Sequence, residues 1–120
     1  MVKKVVVAGC RHYNNYVDAK KHIDICISNI RKEHQIVFIS GGCTGADELG
    51  ERYAKENGFE IQKFPADWNT YGKKAGPMRN KRMAEECDYV ICFWDYKSRG
   101  TRSMIEYAKS LNKPIRIVRI

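Results

Sequence analysis

The sequence predicts a three-layer α/β domain in which helices cover both faces of a parallel five-stranded sheet, order 3-2-1-4-5. Three observations carry that expectation. Short β-branched runs recur along the chain, segments with helical apolar spacing separate them, and the two alternate strictly as βαβαβαβαβ. Successive strands joined through helices pair in parallel, by right-handed crossovers. One domain over residues 1–120 accounts for the whole pattern, with no internal repeat and no low-complexity stretch.

Each element has its own signature. Val5-Val6-Val7-Ala8 is apolar at every position, which suits a strand buried on both faces. Tyr16, Ala19, Ile23, Cys26, Ile27 and Ile30 then fall at helical spacing. Ile36-Val37-Phe38-Ile39 is a second buried strand. Ala46, Leu49, Gly50, Tyr53 and Ala54 mark a helix face that stops at Asn57-Gly58. Glu60 to Phe64 reads as a third strand, halted by Pro65, and residues 65–76 form the longest connection. Pro77 suits the first turn of a helix running to about Glu86. Tyr89 to Trp94 is a fourth strand, Met104, Ile105, Ala108 and Leu111 mark a last helix, and Ile115 to Val118 a fifth strand.

Composition narrows the class. With 43% hydrophobic and 30% charged residues the chain is globular rather than disordered. No signal peptide and no membrane-length apolar run is read, so a cytoplasmic protein is expected. Five scattered cysteines with no C-x-x-C pair suit free thiols in a reducing compartment. The net charge of +8 is concentrated: Lys63 to Arg82 holds six basic residues against the single acid Asp67. A basic loop of that kind points to an anionic partner, either a small polyanion or nucleic acid.

In a doubly wound sheet, ligands bind beyond the strand carboxyl ends. The loops expected there are Gly9-Cys10-Arg11, Ser40 to Gly45, Pro65 to Gly76 and Asp95 to Thr101. Gly41-Gly42-Cys43-Thr44-Gly45 joins a strand directly to a helix, where backbone N–H groups and the helix dipole favour an anion. It is neither a dinucleotide fingerprint nor a P-loop. A tight turn capped by Thr44, with Asp47 at the third helical position, explains the same residues equally well. Ser98-Arg99-Gly100-Thr101 opens another helix in a similar way. Arg79 sits in the first turns of its helix, where positive charge opposes the dipole. Its forked guanidinium is therefore read as an anion ligand.

Arg11 is placed to reach the same crevice, and Trp68, Tyr71 and Trp94 to stack on a base. Cys10, Cys43 and His12 match no zinc spacing, so no metal is assigned, and no cofactor either.

Gly41-Gly42-x-x-Gly45-Ala46-Asp47, Pro65-Ala66-Asp67-Trp68, Gly72-Lys73-x-Ala75-Gly76-Pro77-x-Arg79-Asn80-x-x-Met83 and Gly100-Thr101 together resemble the YspA-type, YpsA-related branch of the SLOG superfamily. That superfamily includes the LOG phosphoribohydrolases and the DNA-uptake protein DprA. The resemblance implies a Rossmann-like fold, a nucleotide or nucleotide-derived ligand, and self-association as a homodimer. It also implies a crevice lined by Gly41, Gly42, Gly45, Asp47, Arg79, Asn80, Gly100 and Thr101. Gly9, Arg11 and Trp68 join that set from the residue reading. LOG enzymes carry Gly-Gly-x-Gly-Thr-x-x-Glu, whereas here Lys97-Ser98 replaces the glycine pair and Met104 stands for the glutamate. Glu106, two residues on, is turned about 200° around the helix. Binding or sensing of a phosphate-bearing ligand is thus the first expectation. A nucleotide hydrolase using Asp47, Asp67 or Asp95 is the second, and a nucleic-acid binder the third.

Overall fold

The computed structural model describes residues 1–120. Five parallel strands form one sheet: β1 (Val2–Gly9), β2 (Gln35–Ser40), β3 (Glu60–Lys63), β4 (Tyr89–Trp94) and β5 (Ile115–Arg119). Their order is β3-β2-β1-β4-β5, as the alternation of elements predicts. The helices are α1 (Tyr16–Ile27), α2 (Ile30–Glu33), α3 (Ala46–Glu56), α4 (Trp68–Tyr71), α5 (Ala75–Glu86) and α6 (Arg99–Ser110).

The continuous apolar strands are explained by a core on each face. Alternate residues of β1 point opposite ways. Val5 and Val7 therefore meet Ala19, Ile23 and Ile27 of α1 and Ala46, Tyr53 and Ala54 of α3. Val6 and Ala8 meet Met83 and Ala84 of α5 and Met104, Ile105 and Ala108 of α6. Fully burying each such valine stabilises the fold by roughly 1.5–3 kcal/mol. The radius of gyration is 13.2 Å, close to the ~13.6 Å expected for one domain of this length.

Several boundaries differ from expectation, each for a local reason. β1 begins at Val2 because Lys3 and Lys4 pair with Ile36 and Val37 at the solvated amino end of the sheet. The first helix, expected to reach Ile30, breaks after Ile27, where the Ser28 hydroxyl donates to the Ile25 carbonyl (3.1 Å). Such back-bonding competes with the helical ladder. Phe64 follows β3 and still donates its N–H to the Ser40 carbonyl. The long connection is not irregular throughout, since it contains α4 and a 3-10 turn over Gly72–Lys74. α5 then begins at Ala75, two residues before Pro77, which remains in the first turn.

Candidate functional site

The crossover order reverses between β1 and β4, and a concavity lies beyond their carboxyl ends. This cavity, about 470 Å³, is walled by the loop after β1 (Gly9 to His12), the first turns of α5 and the β4–α6 turn. A second cavity of about 430 Å³ adjoins it, walled by Gly41, Gly42, Thr44, Lys63 and Trp68. Arg11, Cys43 and Arg79 line both. The single crevice expected from the sequence is thus two chambers with a shared wall. Gly9, Arg11, Asp47, Arg79, Asn80, Gly100 and Thr101 line the first, while Gly41, Gly42 and Trp68 belong to the second.

The β2–α3 loop is held from within. Gly42 N–H donates to Ser40 Oγ (3.1 Å), Cys43 N–H to Asp47 Oδ2 (3.2 Å) and Gly45 N–H to Glu48 Oε1 (3.0 Å). Ala46 N–H donates to the Cys10 carbonyl (3.2 Å). The N-cap of α3 is accordingly Gly45, not Thr44, and the third helical position is Glu48, not Asp47. Gly45 has φ +80°, and a Cβ there would lie 2.3 Å from the Cys10 carbonyl oxygen. A glycine is required because two loop backbones cross at that point.

The start of α6 is more open. Ser98 Oγ caps it by accepting the Thr101 N–H (3.4 Å). Asp95 Oδ1 accepts the N–H groups of Lys97 and Ser98 (both 2.8 Å). No protein acceptor meets the N–H groups of Arg99 and Gly100, and a Cβ on Gly100 would meet nothing within 4 Å. Tyr96 adopts φ 65° to let this turn form. Its ring stacks on Trp94 at 4.4 Å, and Trp94 Nε1 donates to the Ser98 carbonyl (3.0 Å). Trp94 thus braces the turn and lines neither chamber.

Arg79 is 7% exposed. Its guanidinium donates to the Gly41 carbonyl (2.5 Å), to Asn80 Oδ1 (3.1 Å) and to Cys43 Sγ (3.6 Å). Asn80 Nδ2 in turn donates to the Gly100 carbonyl (3.3 Å). The Arg79-Asn80 pair therefore ties the β2–α3 loop to α6 across the site. A basic side chain in the first turns of α5 is compensated here by protein acceptors, which answers the dipole conflict seen in the sequence.

The three candidate carboxylates have separate environments. Asp47 is 5% exposed and lines the first chamber. Burial lifts its carboxyl to about 6, against the opposing pull of the Cys43 N–H and of Arg79 and Arg11. Asp95 also lines that chamber, but the Ser98 and Lys97 N–H groups hold it down at about 2. Asp67 caps α4 by accepting the Thr70 N–H (3.1 Å) and lines neither chamber. Residue patterns gave no site role to Lys97, which joins the first chamber, or to Lys63, which joins the second. Their positions in carboxyl-end loops were the available signal. Cys10 and His12 also enter the first chamber, beside Asp95.

Comparison with known proteins agrees with this architecture. Pneumococcal DNA processing protein A (DprA) superposes with a TM-score of 0.74 at 20% identity, over 98% of this chain and 50% of that one. DprA from Helicobacter pylori, described through its single-stranded DNA binding mode, gives 0.68 at 22% identity, over 96% and 64%. The structural-genomics target TM1055 gives 0.65 at 24% identity, over 94% and 72%. This chain thus spans about half of the pneumococcal protein, and these likenesses establish the fold. The Gene 61 protein of Mycobacterium phage D29 is 33% identical over 91 residues, 71% of this chain and 73% of the phage protein. A family model described as YspA, cpYpsA-related SLOG family matches residues 3–71. With more than half its length matched and the Rossmann-like sheet in place, the chain belongs to the YspA, cpYpsA-related SLOG family.

Proposed function

We propose that the protein binds a nucleotide or nucleotide-derived ligand, with its phosphate in the first chamber. The observation that carries this reading is the meeting of the unpartnered Gly100 N–H at the start of α6 with three cationic side chains, Arg11, Arg79 and Lys97, around one cavity. Two carboxylates, Asp47 and Asp95, face them, so the cations outnumber the anions even with both ionised. The balance at the cavity therefore favours an anion. Its volume of about 470 Å³ falls in the ~300–1,000 Å³ range of small-molecule sites. Asp47, which lines the same chamber, would contact a ribose hydroxyl. Trp68, 50% exposed, offers a stacking face to a base in the second chamber.

Calorimetric titration with a panel of nucleoside mono-, di- and cyclic phosphates tests this reading. Arg11 is exposed and lines both chambers, so Arg11→Ala should keep the fold and weaken binding about ten-fold or more. Trp68→Ala should weaken nucleotides while sparing inorganic phosphate. Absence of binding across the panel, or an unchanged affinity in Arg11→Ala, would refute the assignment.

A second reading rests on a different observation. Lys63, Lys73, Lys74, Lys81 and Arg82 are exposed beside the half-exposed rings of Trp68 and Tyr71. Basic residues interleaved with aromatics suit single-stranded nucleic acid. The DprA likenesses point the same way only through what those proteins do. A hydrolase reading turns on Asp47, whose raised carboxyl suits proton transfer. Product analysis comparing wild type with Asp47→Asn decides that question.

A further inference from the structure

At the mouth of the first chamber, chain-distant segments bring three different donor side chains together. Cys10 follows β1 directly, His12 comes two residues later in the loop, and Asp95 begins the turn after β4. One donor atom from each lies within 4.8 Å of the other two. His12 Nε2 stands 3.8 Å from Asp95 Oδ2. The Asp95 N–H reaches Cys10 Sγ at 3.4 Å, which fixes the sulfur beside the carboxylate.

We propose that Cys10, His12 and Asp95 form a zinc site with one coordination position open to the cavity. The donor set is thiolate, imidazole and carboxylate, a borderline-soft combination that suits Zn²⁺ and does not suit Mg²⁺ or Ca²⁺. Tetrahedral zinc with bonds of about 2.0–2.3 Å requires donors roughly 3.5 Å apart. Closing the present spread needs a movement of about 1 Å. His12 can supply it, because its side chain is 68% exposed and makes no hydrogen bond.

The carboxylate is oriented in advance, as a metal ligand should be. Asp95 Oδ1 is fixed by the Lys97 and Ser98 N–H groups, which leaves Oδ2 turned toward His12. Outer hydrogen bonds of this kind set ligand geometry and affinity in zinc sites. Cys10 binds as the thiolate, its proton passing to solvent, beside the Asp95 carboxylate. Zinc on one thiolate, one carboxylate and one neutral imidazole carries no net charge. Its remaining position then takes water, or a phosphate oxygen when one enters the chamber. Spacing along the chain could not reveal this site, because its third ligand lies far away in sequence.

The test uses metal alone, so its outcome is independent of nucleotide binding. The full chain, stripped with a chelator, is titrated with Zn²⁺ against a chromophoric competitor and separately with Co²⁺. One Zn²⁺ per chain is expected, with affinity lowered at least about ten-fold in both His12→Ala and Asp95→Asn. Tetrahedral Co²⁺ should show a thiolate charge-transfer band that Cys10→Ser abolishes and Cys43→Ser retains. Should Cys10→Ser fold poorly, His12→Ala still decides, since that side chain supports nothing else. Failure to bind Zn²⁺ stoichiometrically overturns the proposal, as does zinc affinity unchanged in His12→Ala, or a cobalt band that follows Cys43.

Discussion

Asp47 draws a pH dependence from its burial. Its carboxyl rises from an ordinary 3.8 to about 6, so the folded state holds the proton more tightly than the unfolded one. The sign follows from that difference. Stability is fully present below pH 3.8 and is lost as pH rises through about 6. Asp47→Asn removes the charged form and keeps an oxygen for the Cys43 N–H. The variant should be more stable than wild type near pH 8, by up to about 3 kcal/mol, with the gap closing near pH 4. Urea denaturation at the two pH values measures it, and an Asn variant weaker than wild type near pH 8 would contradict the assignment. Asp95 titrates too low for such work, so the two carboxylates of one chamber divide into a proton-exchanging group and a permanent charge.

At the scale of elements, the two loop-to-helix turns that look alike in sequence do different things. The start of α3 is closed by Glu48 and by the crossing of two backbones at Gly45. The start of α6 leaves its first N–H groups without a protein acceptor and has open space at Gly100. Substituting alanine should separate them. Gly45→Ala forces a clash and a left-handed alanine, and should cost about 3 kcal/mol or more. Gly100→Ala should be neutral or stabilising by up to about 1 kcal/mol, while its methyl group weakens a phosphate at α6. Thermal melts and nucleotide titration of both variants check this, and equal destabilisation would rule out the distinction. Helix α4 adds a finer point. Asp67 caps it, and its Trp68 ring lies over Gly76, so the second chamber's aromatic wall depends on a one-turn helix.

For the whole molecule, the excess of +8 is a field rather than a site. Its exposed cluster around α4 and α5 faces solvent beside the second chamber. Salt distinguishes a small ligand from a strand. A nucleotide phosphate held by Arg11 and Lys97 should lose less than about ten-fold in affinity between about 50 and 200 mM salt. A single strand neutralised by five of the exposed basic residues would lose about 100-fold over the same range. Fluorescence anisotropy on labelled nucleotide and oligonucleotide measures both slopes. A steep slope for the mononucleotide would show that general charge, not the chamber, does the binding.

The order of elements, the parallel sheet, the double core and the gathering of four loops at one edge all follow from the sequence alone. They follow because side-chain direction along a strand or helix is a local property of the backbone, so periodicity records which residues must be buried. Ser28, Gly45 and Ala75 moved element ends by a few residues, since a single hydrogen bond or a close approach sets such limits. Partners across the chain are a different matter. That Arg79 also ties the Gly41 carbonyl, Asn80 and Cys43 together is invisible in the sequence. Asp47, Asp67 and Asp95 are equivalent in a sequence, yet one is buried, one is a cap and one is clamped by two N–H groups. Only the tertiary structure divided the crevice in two and set Cys10 and His12 beside Asp95, because donor distances between remote segments are decided by packing and not by spacing.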